Sequence, residues 1–141
     1  MYGVDIMKVS TKGRYALTIM INLAKNYNNN NFISLKEISE KENISLKYLE
    51  KIMISLNKMD YFIVARGNNG GYKLKYNPKE YKIGDILRCA EGDLAPVGCL
   101  NNSIQCNKKE KCNTYDFFEG LYNEINNYVD SKTLYDYIKE E

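Results

Sequence analysis

Cys99, Cys106 and Cys112 are separated by six and then five intervening residues. Three thiolates converging there could hold an iron–sulfur cluster or zinc. They could equally serve as redox thiols or be incidental. Zinc modules usually use tighter Cys-x-x-Cys pairs, and this sequence contains none, so the spacing alone leaves the three readings open. Lys108, Lys109 and Lys111 flank the last two cysteines. They favour thiolate and offset the charge of an anionic cluster. The fourth cysteine, Cys89, stands beside apolar positions of a helical pattern and reads as a small buried hydrophobe.

The chain of 141 residues contains no His. That removes Ser–His–Asp and Cys–His nucleophiles, His-ligated zinc, Rieske centres and proximal-His haem. The usual general acid/base is missing as well, although Asp, Glu, Lys, Tyr or Cys could still serve an enzyme. A thiol redox enzyme built on Cys99, Cys106 or Cys112 is the rival, and the lack of Cys-x-x-Cys and of His counts against it, so no enzyme is expected. Residues 1–80 hold 13 Lys+Arg against 7 Asp+Glu, whereas residues 81–141 hold 7 against 11. The basic half suits DNA phosphates, and the acidic half does not.

The basic half also contains the elements that would read DNA. Ser10 or Thr11 starts a helix to about Tyr27, with Tyr15, Leu17, Ile19, Met20, Leu23, Ala24 and Tyr27 as its apolar positions. Ser34 and Glu37 have capping-box spacing before a short helix to about Glu42. Ser45 caps a second helix to about Met59, with Leu46, Leu49, Ile52, Met53 and Leu56 inward. Two helices across a short turn form a helix-turn-helix. In the second, Ser45, Lys47, Tyr48, Glu50 and Lys51 are the early polar positions that would meet bases and phosphates.

Tyr61–Arg66 and Tyr72–Tyr76 read as strands of a hairpin, a wing after the helix-turn-helix. Arg66, Gly67, Asn68, Asn69, Gly70 and Gly71 make a slim cationic tip able to enter a minor groove. No Lys-Ser/Thr follows the glycines, so a phosphate loop is excluded. Pro78 ends the wing, and Ile83–Glu91 is a helix with Ile83, Ile86, Leu87 and Ala90 inward. Gly92–Lys111 is a loop. A long helix then runs from Asn113 or Thr114 to about Val129. Phe117, Phe118, Leu121, Tyr122, Ile125, Tyr128 and Val129 form its wide apolar stripe. Thr133–Lys139 is a last short helix or tail.

The fold class expected is mainly α with a small β-hairpin wing. The division expected is a winged helix-turn-helix over 7–80, a connecting helix and cysteine loop over 81–112, a dimerisation helix over 113–131 and a tail over 132–141. Met7 could be the natural start. The first residues hold no long apolar run after a basic start, and no stretch approaches the ~20 apolar residues of a membrane span. A cytoplasmic protein with no membrane contact is expected.

Several stretches, in order, resemble the Rrf2-type winged helix-turn-helix regulators, the family of IscR, NsrR and CymR. They are Met7-Lys-Val-Ser-Thr-Lys-Gly-Arg-Tyr-Ala-Leu17, Ile44-Ser-Leu-Lys-Tyr-Leu-Glu50, Arg66-Gly-Asn-Asn-Gly-Gly-Tyr72, Ile83-Gly-Asp-Ile86, Glu91-Gly-Asp-Leu-Ala-Pro96 and the three cysteines. The resemblance implies a homodimer, with the long C-terminal helices crossing, that binds a two-fold double-stranded DNA operator. It implies a repressor of genes for iron–sulfur cluster assembly or for sulfur and cysteine metabolism. Members with three cysteines in this loop look like iron–sulfur sensors. By position, Cys99, Cys106 and Cys112 would then be metal ligands of a cluster, 2Fe–2S in preference to 4Fe–4S.

The pattern is closest to the IscR-like branch, whose last cysteine precedes a His ligand by three residues. Tyr115 stands at that position here, and Arg14 stands where the NsrR-like branch uses an Asp. The fourth ligand is therefore open among Glu110, Asp116, Cys89, a partner-subunit residue, and an external thiol or solvent. The alternative within the family is a cluster-free, CymR-like repressor of cysteine metabolism acting through a partner protein or thiol state.

Overall fold

A computed structural model describes residues 9–100 and 112–138 of the chain. Helix α1 spans Thr11–Lys25 and carries the centre of the core, with Ala16, Ile19 and Met20 fully buried and Leu23 nearly so. It stops at Lys25 rather than Tyr27. The Asn26 side-chain amide donates to the Asn22 carbonyl, and a short 3₁₀ turn follows over Tyr27–Asn29. Side-chain amides that bond the backbone in this way compete with continued helix.

Helix α2 spans Leu35–Glu42, and the Ser34 hydroxyl oxygen accepts from the Glu37 N–H, which is one of the two bonds of the predicted capping box. Asn43 ends it in the left-handed region, at φ 55°. Helix α3 spans Leu46–Leu56, with the Ser45 hydroxyl oxygen accepting from the Tyr48 N–H. It ends three residues before the expected Met59, because the Lys58 and Met59 N–H groups bond Ser55 and Leu56 in tight i→i−3 turns. Leu49, Ile52, Met53 and Leu56 face the core, whereas Leu46 is exposed at the helix start.

Strands β1 (Phe62–Ala65) and β2 (Gly71–Leu74) pair antiparallel, with Phe62 opposite Leu74 and Ala65 opposite Gly71. Both are shorter than expected, and β2 opens one residue earlier, at Gly71. A two-way bridge between Ile33 and Tyr72 ties β2 to the segment before α2 (2.9 and 2.8 Å). No sequence pattern marks that bridge, because Ile33 lies outside any alternating run. Helix α4 spans Ile83–Glu91 and buries the four apolar residues expected of it.

Helix α5 spans Tyr115–Ser131 and is mounted on α4 by Arg88. The Arg88 guanidinium donates to both Asp130 carboxylate oxygens (2.8 and 2.9 Å) and to Asn126 Oδ1 (2.8 Å). This bond holds the Asp130 carboxyl below its ordinary pKa. Gly84 permits the close approach, since a Cβ there would lie 2.1 Å from Asp130 Oδ1.

The chain after α5 is no loose tail. Thr133 bridges Lys82, the Leu134 N–H donates to the Tyr81 carbonyl at 3.0 Å, and Leu134 is fully buried. Burying one such side chain is worth roughly 1.5–3 kcal/mol. The order α1-α2-α3-β1-β2-α4-α5 is thus a winged helix-turn-helix extended by two helices.

Candidate nucleic-acid interface and cysteine segment

The start of α3 presents Ser45, Lys47, Glu50 and Lys51 to solvent. Lys47 and Lys51 make no ion pair among the described residues, so neither charge is spent inside the fold. Tyr48 differs from the other expected contact residues. It is half-buried, and its ring meets Tyr15 of α1 edge-on, with centroids 5.6 Å apart. It therefore joins the reading helix to α1, and its ring is engaged in packing.

The hairpin tip exposes Arg66, Gly67, Asn68 and Asn69. Arg66 likewise makes no ion pair among the described residues. The glycines divide by role. Gly67 has φ 100° with open space around it, and the Gly70 N–H closes the turn onto the Gly67 carbonyl at 3.0 Å. A Cβ at Gly70 would lie 2.3 Å from the Ala65 carbonyl oxygen. Gly71 has φ 147°, and a Cβ there would lie 2.4 Å from the Ile33 carbonyl oxygen. Gly70 and Gly71 are therefore needed to build the wing, and Gly67 shapes its tip.

Lower on the wing, Lys75 pairs with Asp60 at 2.8 Å, and the Tyr76 hydroxyl donates to Asp60 at 2.7 Å. The Tyr81 hydroxyl donates to the Tyr61 carbonyl at 2.7 Å and accepts from the Tyr76 N–H at 3.0 Å, locking the root of the hairpin to the body.

Cys99 lies half-buried in a single turn over Gly98–Leu100, and Cys112 is exposed three residues before α5. Their partner in the expected ligand set, Cys106, lies outside the described residues, as do Glu110 and the flanking Lys108, Lys109 and Lys111. Among the described residues no three Cys, Asp or Glu side chains come together as a metal-holding group. By chemistry the three thiols suit three of the four ligand positions a cluster requires, and the chain contains no His for the fourth.

Cys89 sits apart, half-buried, with its thiol donating to the Ser55 carbonyl at 3.2 Å. Burial pushes that thiol above its ordinary pKa. It is thus a protonated packing residue, as the sequence suggests, and poorly suited to ligation.

Sequence reasoning missed the residues that tether the cysteine segment. Glu91 Oε1 accepts from the Ser10 N–H (3.1 Å), the Ser10 hydroxyl (2.5 Å) and the Gly13 N–H (2.7 Å). Ser10 does occupy the N-cap position of α1, but its own side chain does not cap the helix. The Tyr122 hydroxyl of α5 donates to both carboxylate oxygens of Asp93, at 2.8 and 2.9 Å. The one available signal was the absence of any acidic residue in the first turn of α1.

A winged helix-turn-helix with unpaired cations on its reading helix and wing tip defines the class, a DNA-binding regulator. The comparisons narrow it. Residues 9–140 match the Rrf2 family model, described as an iron-dependent transcriptional regulator. The chain is 44% identical over 96 residues to the transcriptional regulator CymR of Bacillus subtilis, covering 68% of this chain and 69% of CymR. It is 30% identical over 134 residues to the regulator IscR of Vibrio campbellii, covering 95% of this chain and 79% of IscR. The structure of CymR, the global cysteine regulator of B. subtilis, superposes with a TM-score of 0.79 at 35% identity, over 93% of this chain and 95% of that one. The chain belongs to the Rrf2 family of transcriptional regulators, and its relatives are regulators, not enzymes. Among the described residues, no helix is long and apolar enough to cross a membrane.

The division among the wing glycines is testable by urea unfolding at one fixed protein concentration. Gly67→Ala should lose ~1–3 kcal/mol from its positive φ alone. Gly71→Ala should lose more, because the new methyl also meets the Ile33 carbonyl. A larger loss in Gly67→Ala would contradict this assignment.

Proposed function

We propose that this chain is a cytoplasmic, dimeric repressor that binds a two-fold operator and is regulated through Cys99, Cys106 and Cys112 as ligands of an iron–sulfur cluster. Its targets would be genes of iron–sulfur assembly or of sulfur and cysteine metabolism. The observation that carries the DNA-binding half is the set of exposed, unpaired cations Lys47, Lys51 and Arg66 on the start of α3 and the wing tip. In this reading Lys47, Lys51 and Arg66 contact phosphate or base edges, Ser45 and Glu50 contact bases or backbone, and Gly67, Asn68 and Asn69 fit the groove.

The dimer reading rests on α5. Within the described chain none of its residues is buried, and Phe117 and Tyr128 are 67% and 61% exposed. An apolar helix face of this kind is matched by a second copy of itself, which would space two wings along an operator. The cluster reading rests on the donor set, three cysteines in one segment, together with the iron-dependent description of the family model. A cluster there would supply a change of charge and of segment conformation when gained or lost. To regulate, it must favour one arrangement of the DNA-binding heads, since equal affinity for both shifts nothing.

The second reading, a cluster-free repressor of cysteine metabolism, is favoured by the 44% identity to CymR.

Three measurements test these readings. Protein purified without oxygen should contain iron and sulfide and show iron–sulfur absorption and Mössbauer signals, and Cys106→Ala should lose them. Iron-free wild type would overturn the cluster and leave the cluster-free repressor. Arg66→Ala should weaken operator binding and lower the slope of log affinity against log salt by about 1. Unchanged affinity across the salt series would remove Arg66 from the interface. Phe117→Asp should halve the sedimenting mass, and a wild type that already sediments as a monomer would sink the dimer.

A further inference from the structure

Glu91, the last residue of α4, serves a helix other than its own. Its Oε1 takes three donors at the start of α1, the Ser10 N–H, the Ser10 hydroxyl and the Gly13 N–H. A helix N-terminus leaves N–H groups unsatisfied and favours negative charge. In α1 that acceptor comes from 78 and 81 residues further along the chain. The contact is tight on both sides, since a Cβ on Gly13 would lie 2.4 Å from Glu91 Oε1.

The next two residues turn and anchor the chain the other way. Gly92, at φ 87°, takes it out of α4. Asp93 then accepts from the Tyr122 hydroxyl of α5 on both oxygens and from the Ala95 N–H at 2.7 Å. Glu91, Gly92 and Asp93 therefore tie one root to α1 and to α5 at once, and Cys99 follows six residues later. On the α1 side the connection continues. Tyr15, two residues beyond Gly13, packs edge-on against Tyr48 at the reading end of α3.

We propose that Glu91 is the positioning residue that couples the Gly92–Leu100 segment to the reading helix, acting through the first turn of α1 and the Tyr15–Tyr48 contact. The inference rests on the reading that this segment is regulatory, but not on what its cysteines carry. When the segment root shifts off α5, Glu91 leaves Ser10 and Gly13. The first turn of α1 loses its acceptor, and Tyr15 shifts beneath Tyr48. Docked and undocked Glu91 are the two arrangements between which an effector chooses.

The test uses the full-length protein with and without N-ethylmaleimide, with mass spectrometry confirming addition at Cys99. Amide hydrogen exchange is followed over residues 10–16 and 45–51, and operator affinity by fluorescence anisotropy. In wild type, alkylation should raise exchange in both stretches and change operator affinity ~5-fold or more. In Glu91→Ala, exchange there should be raised from the outset, and alkylation should move affinity by less than ~2-fold. Gly13→Ala displaces the same carboxylate from the helix side while adding helix propensity, so it keeps the fold and should behave alike.

An alkylation response retained in both variants, or an unchanged exchange pattern over 10–16 in alkylated wild type, overturns the coupling. The probe needs no iron. Iron is measured on untreated protein and alkylation is done after iron is stripped, because a thiolate bound to iron is closed to the probe. A protein that holds no iron but gives the full alkylation response keeps the coupling and loses only the cluster, and one that holds iron as purified but shows a flat exchange pattern once stripped and alkylated at Cys99 loses only the coupling.

Discussion

Every other element of this molecule is arranged around the burial of α1. Ala16, Ile19 and Met20 have no solvent exposure, and the helix packs against α3, α4, β2 and the C-terminal turn. A helix enclosed on so many sides cannot rotate or slide without disturbing all its neighbours, because protein interiors are close-packed. Its small residues make this possible. Gly13 admits the Glu91 carboxylate, and Ala16 lies flush in the core. Asn22, buried as well, is reconciled with the interior by its amide, which donates to the Thr18 carbonyl and to Glu42 at 2.8 and 3.0 Å. The position of the reading helix is thus inherited from α1.

Elements whose cause is local were legible in the sequence. Ser34 and Ser45 cap the helices that their spacing announces, and α4 keeps the apolar positions its periodicity assigns. The hairpin was legible from a β-branched and aromatic run before the glycines and an alternating run after them. What escaped is what joins distant parts of the chain. The Ile33–Tyr72 bridge, the Arg88–Asp130 pair and the Glu91 contact each link residues 38 or more positions apart in sequence. Nothing in the neighbourhood of a residue announces such a partner. The short helix expected near Leu134 forms, as a 3₁₀ turn over Leu134–Tyr137, but the burial of Leu134 was not legible, since its partners Tyr81 and α1 lie far upstream.

The candidate site was legible to a similar degree. The cations of α3 stand exposed where helical spacing puts them, and Arg66 stands exposed at the turn, whereas Tyr48, expected among the contact positions, is half-buried with its ring against Tyr15, a distant neighbour that spacing does not show. Among the glycines, composition alone could not separate Gly67, which has open space, from Gly71, which meets a backbone carbonyl. The charge division has a structural counterpart. The acidic half contains α5, whose Asp130 is paired to Arg88 and whose Tyr122 is paired to Asp93, so part of that negative charge is used internally to hold the helix. In the basic half, Lys47, Lys51 and Arg66 make no ion pair among the described residues.

The seating of Leu134 has a consequence for how the molecule comes into being. The core around α1 is closed by a residue that follows α5, and the Lys82–Thr133 bridge beside it needs that same stretch. While those residues are still inside the ribosome, the nascent helices lack the side chain that seals them. The DNA-binding head therefore closes only once the chain through Leu134 is available, and a product truncated before it is left with an open interior, a substrate for proteolysis rather than a competitor for operator sites.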